Sequence, residues 1–291
     1  MATEGTSPAP SPRVVVADQA GACYGVNRAL EMVERAAVES ASPVRTLGPL
    51  IHNPTVVSEL EARGVGVVER PEDACGATLV LRTHGVTPDE EARARAACVQ
   101  VIDATCPFVV RAHDAAARLT AEGYQVIVVG EAGHPEVEGT LGHAPGAVVV
   151  SGPDELAAVK VGRKVGLVVQ TTQSRELLRS VVAALVGRCA ELRLVDTICE
   201  ATSERQRAAR ELAARSDAMV VIGGRNSANT TRLAEICAAS CARTHHIEGA
   251  GELEGGWFEG ASAIGVTAGA STPQRQIDEV VAAIRSLVGV A

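Results

Sequence analysis

The chain has 291 residues and a formal net charge of −8, which argues against a nucleic-acid partner because such a partner needs a basic face. Hydrophobic residues make up 46% and aromatic residues only 2%, so the core has to be built from Val, Ala, Leu and Ile, as in parallel sheets covered by helices. Lysine occurs only at 160 and 164, outside every motif described below, which disfavours a Walker-type nucleotide site and a Schiff-base enzyme.

Residues 1–13 (MATEGTSPAPSPR) are rich in Pro, Ser, Thr and Ala without the apolar core of a signal peptide, and read as a disordered tail. No apolar run is long enough to span a membrane. Without a secretory signal, eight cysteines read as reduced thiols or metal ligands rather than a disulfide framework, and the expected location is cytoplasmic.

Strand-like runs of Val, Ile and Leu then recur in three sets of four. The first set is 14–17, 44–47, 65–68 and 78–82; the second is 99–102, 125–129, 147–150 and 165–169; the third is 192–195, 218–222, 244–247 and 263–266. Helical stretches separate them; over 25–40, Val26, Ala29, Leu30, Val33 and Ala37 fall on one face and Arg28, Glu31, Glu34 and Arg35 on the other. The turns repeat too. Each second strand opens a glycine-led polar loop (GPLIHNPT, GEAGHPEVEGT, GGRNSANT), each third a short acidic stretch, and each fourth a hydroxyl or His loop (RTHGVTP, QTTQS, TAGASTP).

This punctuation implies parallel sheets with right-handed crossovers. The expected fold is α/β: three similar small domains at 14–98, 99–191 and 192–291, arranged as a pseudo-threefold trefoil around a central site. Ligands of open α/β sheets gather at the carboxyl ends of the strands, where these loops lie.

Each set also opens with a strand, a turn, a cysteine and a helix: Cys23 in VVVADQAGACYGV, Cys106 in VIDATCPFVV and Cys199 in LVDTICEAT. A helix N-terminus lowers a thiol's pKa and favours ligation. Three converging thiolates fit zinc or an iron-sulfur cluster, the cluster at least as well. Cys75, Cys98, Cys189, Cys237 and Cys241 lack this context and read as structural. His52, His84 and His134 occupy matched or nearly matched loops, and with Asn226–Asn229 and Ser271 suggest an anion site built from amides, hydroxyls and imidazoles. His113, His143, His245 and His246 read as helix-surface or loop residues. Glu136, two residues after His134 and in the same third as Thr171, is a candidate general acid, with Glu138 as its competitor in the same turn.

The motifs CxGVxRA, LGPLIHN, THGV, DATCP, GHPEVEGT, QTT, NSxN and GVTAGAS together resemble the 4-hydroxy-3-methylbut-2-enyl diphosphate reductase family, which catalyses the last step of the methylerythritol phosphate route to isoprenoids; the likeness covers nearly the whole chain beyond the tail. The resemblance implies one 4Fe-4S cluster with Cys23, Cys106 and Cys199 as its three cysteine ligands. It implies a diphosphate held by His52, His84, His134, Ser227, Asn229 and Ser271, with Glu136 as proton source assisted by Thr171. It also implies reductive dehydroxylation to isopentenyl and dimethylallyl diphosphate, with ferredoxin or flavodoxin as electron donor. The chain departs from the family pattern at Ala22, where an aromatic residue is frequent, and at Ala228, where a serine is common; Tyr24 follows the first ligand cysteine. Three other readings compete: an iron-sulfur redox sensor or electron carrier on the same scaffold, which needs neither the diphosphate loops nor Glu136, a reductase of a related allylic diphosphate, and a zinc hydrolase.

Overall fold

The computed structural model describes residues 12–290. The path begins with β1 (Arg13–Val16) and α1 (Tyr24–Glu39), followed by β2 (Val44–Leu47), α2 (Pro54–Ala62), β3 (Gly66–Val68), β4 (Thr78–Leu81) and α3 (Pro88–Ala97). Next come β5 (Gln100–Asp103), α4 (Pro107–Ala121), β6 (Gln125–Val129), α5 (Pro135–Gly142), β7 (Val148–Val150), α6 (Pro153–Ala158), β8 (Lys164–Val169) and α7 (Arg175–Leu185). The last stretch holds β9 (Glu191–Val195), α8 (Glu200–Ala213), β10 (Ala218–Ile222), α9 (Ala228–Ala238), β11 (Thr244–Ile247), β12 (Ala263–Ala268) and α10 (Gln274–Leu287). Every strand expected from sequence is present, with ends shifted by no more than two residues.

The strands form three four-stranded sheets, ordered β3-β2-β4-β5, β7-β6-β8-β9 and β1-β12-β10-β11, and every pairing is parallel. The sheets are therefore offset by one strand from the sequence thirds. The strand that opens each repeat pairs with the fourth strand of another repeat, so the expected boundaries at 98/99 and 191/192 cut off strands that complete the preceding sheets. Arg13, expected in the tail, is the first residue of β1 and pairs with Ala263; residues 1–11 of that tail lie outside the described residues.

By internal packing the described residues divide into two compact units, 12–22 with 204–290, and 23–203. In the first, the sheet packs one face against α10 through Val220, Ile264, Val266, Ile277, Val280 and Ile284, and the other against α8 and α9 through Leu212, Met219, Val221 and Leu233. In the second, β6 and β8 sit between α7 on one side (Leu167, Val169, Val181, Leu185) and α4 on the other (Ala112, Ala116, Leu119, Val126, Val128). These cores are almost wholly aliphatic, as the composition requires. No helix among the described residues is long and apolar enough to cross a membrane.

In each sheet the strand order reverses between the second and fourth strands of a repeat, β2/β4, β6/β8 and β10/β12. Helices leaving those neighbours diverge, and a crevice opens at their carboxyl ends.

Candidate active site

Two of the Cys loops take their shape from an aspartate at the end of the preceding strand or just after it. The Asp103 carboxylate accepts from the Thr105 amide at 2.9 Å, and Asp196 accepts from Ile198 at 3.1 Å, an Asx turn that swings the next residues toward a helix start. Cys23 and Cys106 are the N-caps of α1 and α4, and Cys199 immediately precedes α8.

Two of the thiols, those of Cys23 and Cys106, meet at Gly25. A Cβ at that position would stand 2.7 Å from the Cys106 sulfur and 4.0 Å from that of Cys23, so only glycine leaves the space clear. Cys199 is within electrostatic reach of both Cys23 and Cys106. Its sulfur is 2.9 Å from the Thr202 hydroxyl and accepts from the Thr202 amide at 3.3 Å. Thr202 was not singled out from sequence; the signal for it is a hydroxyl residue three positions after a cysteine that precedes a helix.

The expected lowering of the thiol pKa values is reversed at two of the three. Burial pushes Cys106 up to about 11, against the amides of Phe108 and Val109 that favour its thiolate, and the neighbouring Cys23 and Cys199 push it further. Cys199 is also raised, chiefly by burial. Desolvation and mutual repulsion outweigh the helix N-terminus here, so these sulfurs ionise only when a cation compensates them. Among the described residues no group of three His, Cys, Asp or Glu side chains could hold a single metal ion.

The imidazoles form a second group. Rings of His52 and His84 are 4.1 Å apart between centroids, His52 and His134 5.2 Å, and His84 and His134 5.7 Å. His52 and His84 leave from the crevice between β2 and β4; His134 follows β6. All three are held below the usual histidine pKa, mainly by burial, His134 to about 4. They are therefore neutral N–H donors at pH 7. Nδ1 of His84 is buried without a hydrogen-bond partner. Nδ1 of His134, the N-cap of α5, accepts from the Glu136 amide at 3.1 Å, which leaves the proton on Nε2 and turns it outward as a donor.

Glu136 is 3% exposed. Its carboxylate accepts from the Thr171 amide at 2.6 Å and from the Thr171 hydroxyl at 2.9 Å, and the Thr171 carbonyl accepts from the Cys199 amide at 3.1 Å. Burial raises its pKa to about 7, the two Thr171 bonds working in the opposite direction. Glu138 is exposed and accepts from the Gly133 amide at 3.1 Å, which ties it to its own loop.

His113 is buried, contrary to the surface position expected. It stacks on His143 at 4.2 Å and lies against Gly85 and Gly139, where a Cβ would come within 2.5 and 3.1 Å of its ring. It thereby wedges α4, which begins at Cys106, against the His84 loop and α5. Arg82 is the other residue that sequence reasoning passed over. Its charge contributes to the lowered pKa of His52, His84 and His134.

In the unit of residues 12–22 and 204–290, Ser227, Asn229 and Ser271 follow the adjacent strands β10 and β12, whose ends are in register at Ile222 and Ala268. Ser227 caps α9 by accepting from the Thr230 amide. Asn229 is 4% exposed, and neither its amide nitrogen nor its oxygen has a hydrogen-bond partner. A buried amide left in that state costs about 1–3 kcal/mol, so Asn229 is able to take a hydrogen-bonding partner.

Three parallel sheets, three thiols at helix starts, and a buried acid bonded to a residue that holds one of those cysteines define the site of an α/β enzyme. The chain matches the LytB protein family model over residues 14–285 and belongs to that family. It is 47% identical over 275 residues to the 4-hydroxy-3-methylbut-2-enyl diphosphate reductase of Geobacter metallireducens, covering 94% of this chain and 97% of the relative. It is 48% identical over 273 residues to the enzyme of the same name from Geobacter sulfurreducens, covering 94% and 96%. Among solved structures, one of (E)-4-hydroxy-3-methyl-but-2-enyl diphosphate reductase, the terminal enzyme of the non-mevalonate pathway, matches with TM-score 0.70 at 41% identity, covering 94% of this chain and 99% of that one. The E-1-hydroxy-2-methyl-but-2-enyl-4-diphosphate reductase of Plasmodium falciparum matches with TM-score 0.90 at 26% identity, covering 95% and 89%.

Proposed function

We propose that the protein reduces 4-hydroxy-3-methylbut-2-enyl diphosphate to isopentenyl and dimethylallyl diphosphate with loss of water. The observation that carries this reading is the chain of bonds from Glu136 through Thr171 to Cys199, which sets a proton donor one residue from a thiol ligand. Membership of the LytB family and 47–48% identity to reductases of that name support the same assignment.

Cys23, Cys106 and Cys199 would hold a 4Fe-4S cluster, for which the all-thiol donor set and the space kept by Gly25 are suited. When bound, the cluster supplies the reducing electrons and a Lewis-acidic iron for the allylic hydroxyl.

The protein's own residues bind the ligand and move the proton. Neutral His52, His84 and His134 donate N–H bonds to the diphosphate, and Ser227, Asn229 and Ser271 are assigned to the same group by their chemistry and by the family resemblance. With a pKa near 7, Glu136 is protonated in a large fraction of molecules at neutral pH. When protonated, Glu136 donates its carboxyl O–H to Thr171 Oγ1 across their contact; Thr171 passes its hydroxyl proton to the departing oxygen and takes the Glu136 proton in return, leaving Glu136 as the carboxylate. Reduced ferredoxin or flavodoxin is the proposed electron donor, and the cytoplasm the proposed location.

Glu136→Gln separates this reading from a redox sensor. The variant keeps the visible spectrum of the cluster and loses turnover by about 10²–10⁴-fold, the usual range for a general acid. Full turnover would remove Glu136 from the mechanism.

A further inference from the structure

Arg82 stands at the mouth of the β2/β4 crevice. The two strands are in register at Leu47 and Leu81, so the loops that begin at Gly48 and Arg82 leave the sheet side by side. The Arg82 side chain crosses between them. Its Nη1 donates to the Leu47 carbonyl at 3.3 Å, and the guanidinium lies over Gly48, where a Cβ would stand 3.1 Å from Nη1. Gly48 has a φ of 67°, so both its backbone and its missing side chain suit the crossing.

The guanidinium is half-buried, and its Nε is buried without a hydrogen-bond partner. Glu69 and Glu90 act on it only through space. Among the described residues it makes no ion pair with either. A desolvated cation bonded to one carbonyl is costly unless an anion joins it. Its field reaches all three imidazoles at the site, and unlike theirs its charge does not depend on pH in the working range.

We propose that Arg82 is the permanent cation of the anion site formed by His52, His84 and His134, binding a diphosphate through charge where the imidazoles bind it through N–H donation. This rests on the diphosphate reading above. It divides the labour at the site: the histidines shape and orient, and Arg82 provides the attraction that neutral rings lack.

The test is calorimetric titration of inorganic diphosphate into the anaerobically purified holoenzyme, for the wild type, Arg82→Met and Arg82→Lys. Arg82→Met is expected to weaken binding at least tenfold and Arg82→Lys to restore most of it. In Arg82→Met the ring signals of His52, His84 and His134 should also titrate at higher pH by NMR and return to the wild-type position in Arg82→Lys, a recovery with charge that loosened packing does not give. Equal affinity in wild type and Arg82→Met would overturn the proposal and leave the diphosphate reading standing. No binding by the wild type would overturn both. If Arg82→Met does not fold, wild-type binding at pH 8.5 decides, since His52, His84 and His134 are then neutral and the carboxyl groups that act on Arg82 are those of Glu69 and Glu90: retained affinity supports Arg82, and lost affinity assigns the charge to imidazolium instead.

Discussion

A carboxyl group with almost no exposed surface is costly to ionise, and Glu136 shows how that cost becomes useful. Burial raises its pKa to about 7 despite two hydrogen bonds from Thr171 that favour the carboxylate. The folded state therefore holds this proton more tightly than the unfolded chain, whose Glu releases it near 4.5. The stabilising contribution is full below that lower value and is lost as pH rises through 7, an effect of roughly 3 kcal/mol at most. Glu136→Gln removes the titration, so its melting temperature relative to wild type should rise between pH 5 and pH 8; a constant difference would contradict the raised pKa. The step that uses this proton should likewise slow above pH 7 in wild type. Glu136 was legible in sequence because it follows His134 in a glycine-led loop, but its preference over Glu138 was not. That depended on which carboxylate the turn buries. The thiols show the same limit in reverse, since sequence places Cys106 at a helix N-terminus and only packing reveals that burial outweighs it.

Elements explain why small residues are indispensable near the centre. Gly25 lies in the first turn of α1, where alanine is ordinarily better by about 1 kcal/mol. Here a methyl group would meet the Cys106 sulfur at 2.7 Å. Gly25→Ala should thus fold with unchanged or higher helical stability by circular dichroism yet lose most of its iron and sulfide. Full iron loading in that variant would mean that the sulfurs do not need the space. Gly85 combines a φ of 74° with a Cβ position 2.5 Å from the His113 ring, and Gly85→Ala is expected to destabilise by about 1–3 kcal/mol in denaturant unfolding. The loops themselves were legible, because Gly, His, Ser and Thr recur after matched strands. His113 and Arg82 were not. A histidine seven residues into a helix and an arginine ending a strand both look like surface positions until the elements packed on them are known.

At the scale of the whole molecule, the twelve strands were readable because parallel strands buried on both faces leave uninterrupted Val, Ile and Leu runs. Their partners were not, since a local pattern carries no information about which edge a strand joins. Each repeat donates its first strand to another repeat's sheet, and β1 closes the edge of β12 over four residue pairs. Deleting residues 1–17 should therefore expose the amides of β12 to rapid hydrogen exchange while leaving β6 and β8 protected. Uniform loss of protection would show that the sheets do not hold independently.

The most direct test of the account as a whole is an anaerobic assay. The protein is purified without oxygen, its iron and sulfide are quantified, and 4-hydroxy-3-methylbut-2-enyl diphosphate is supplied with a reductant. The account predicts a cluster that depends on Cys23, Cys106 and Cys199, together with isopentenyl and dimethylallyl diphosphate as products. Zinc without sulfide, or a complete cluster that leaves the substrate unchanged, would contradict it.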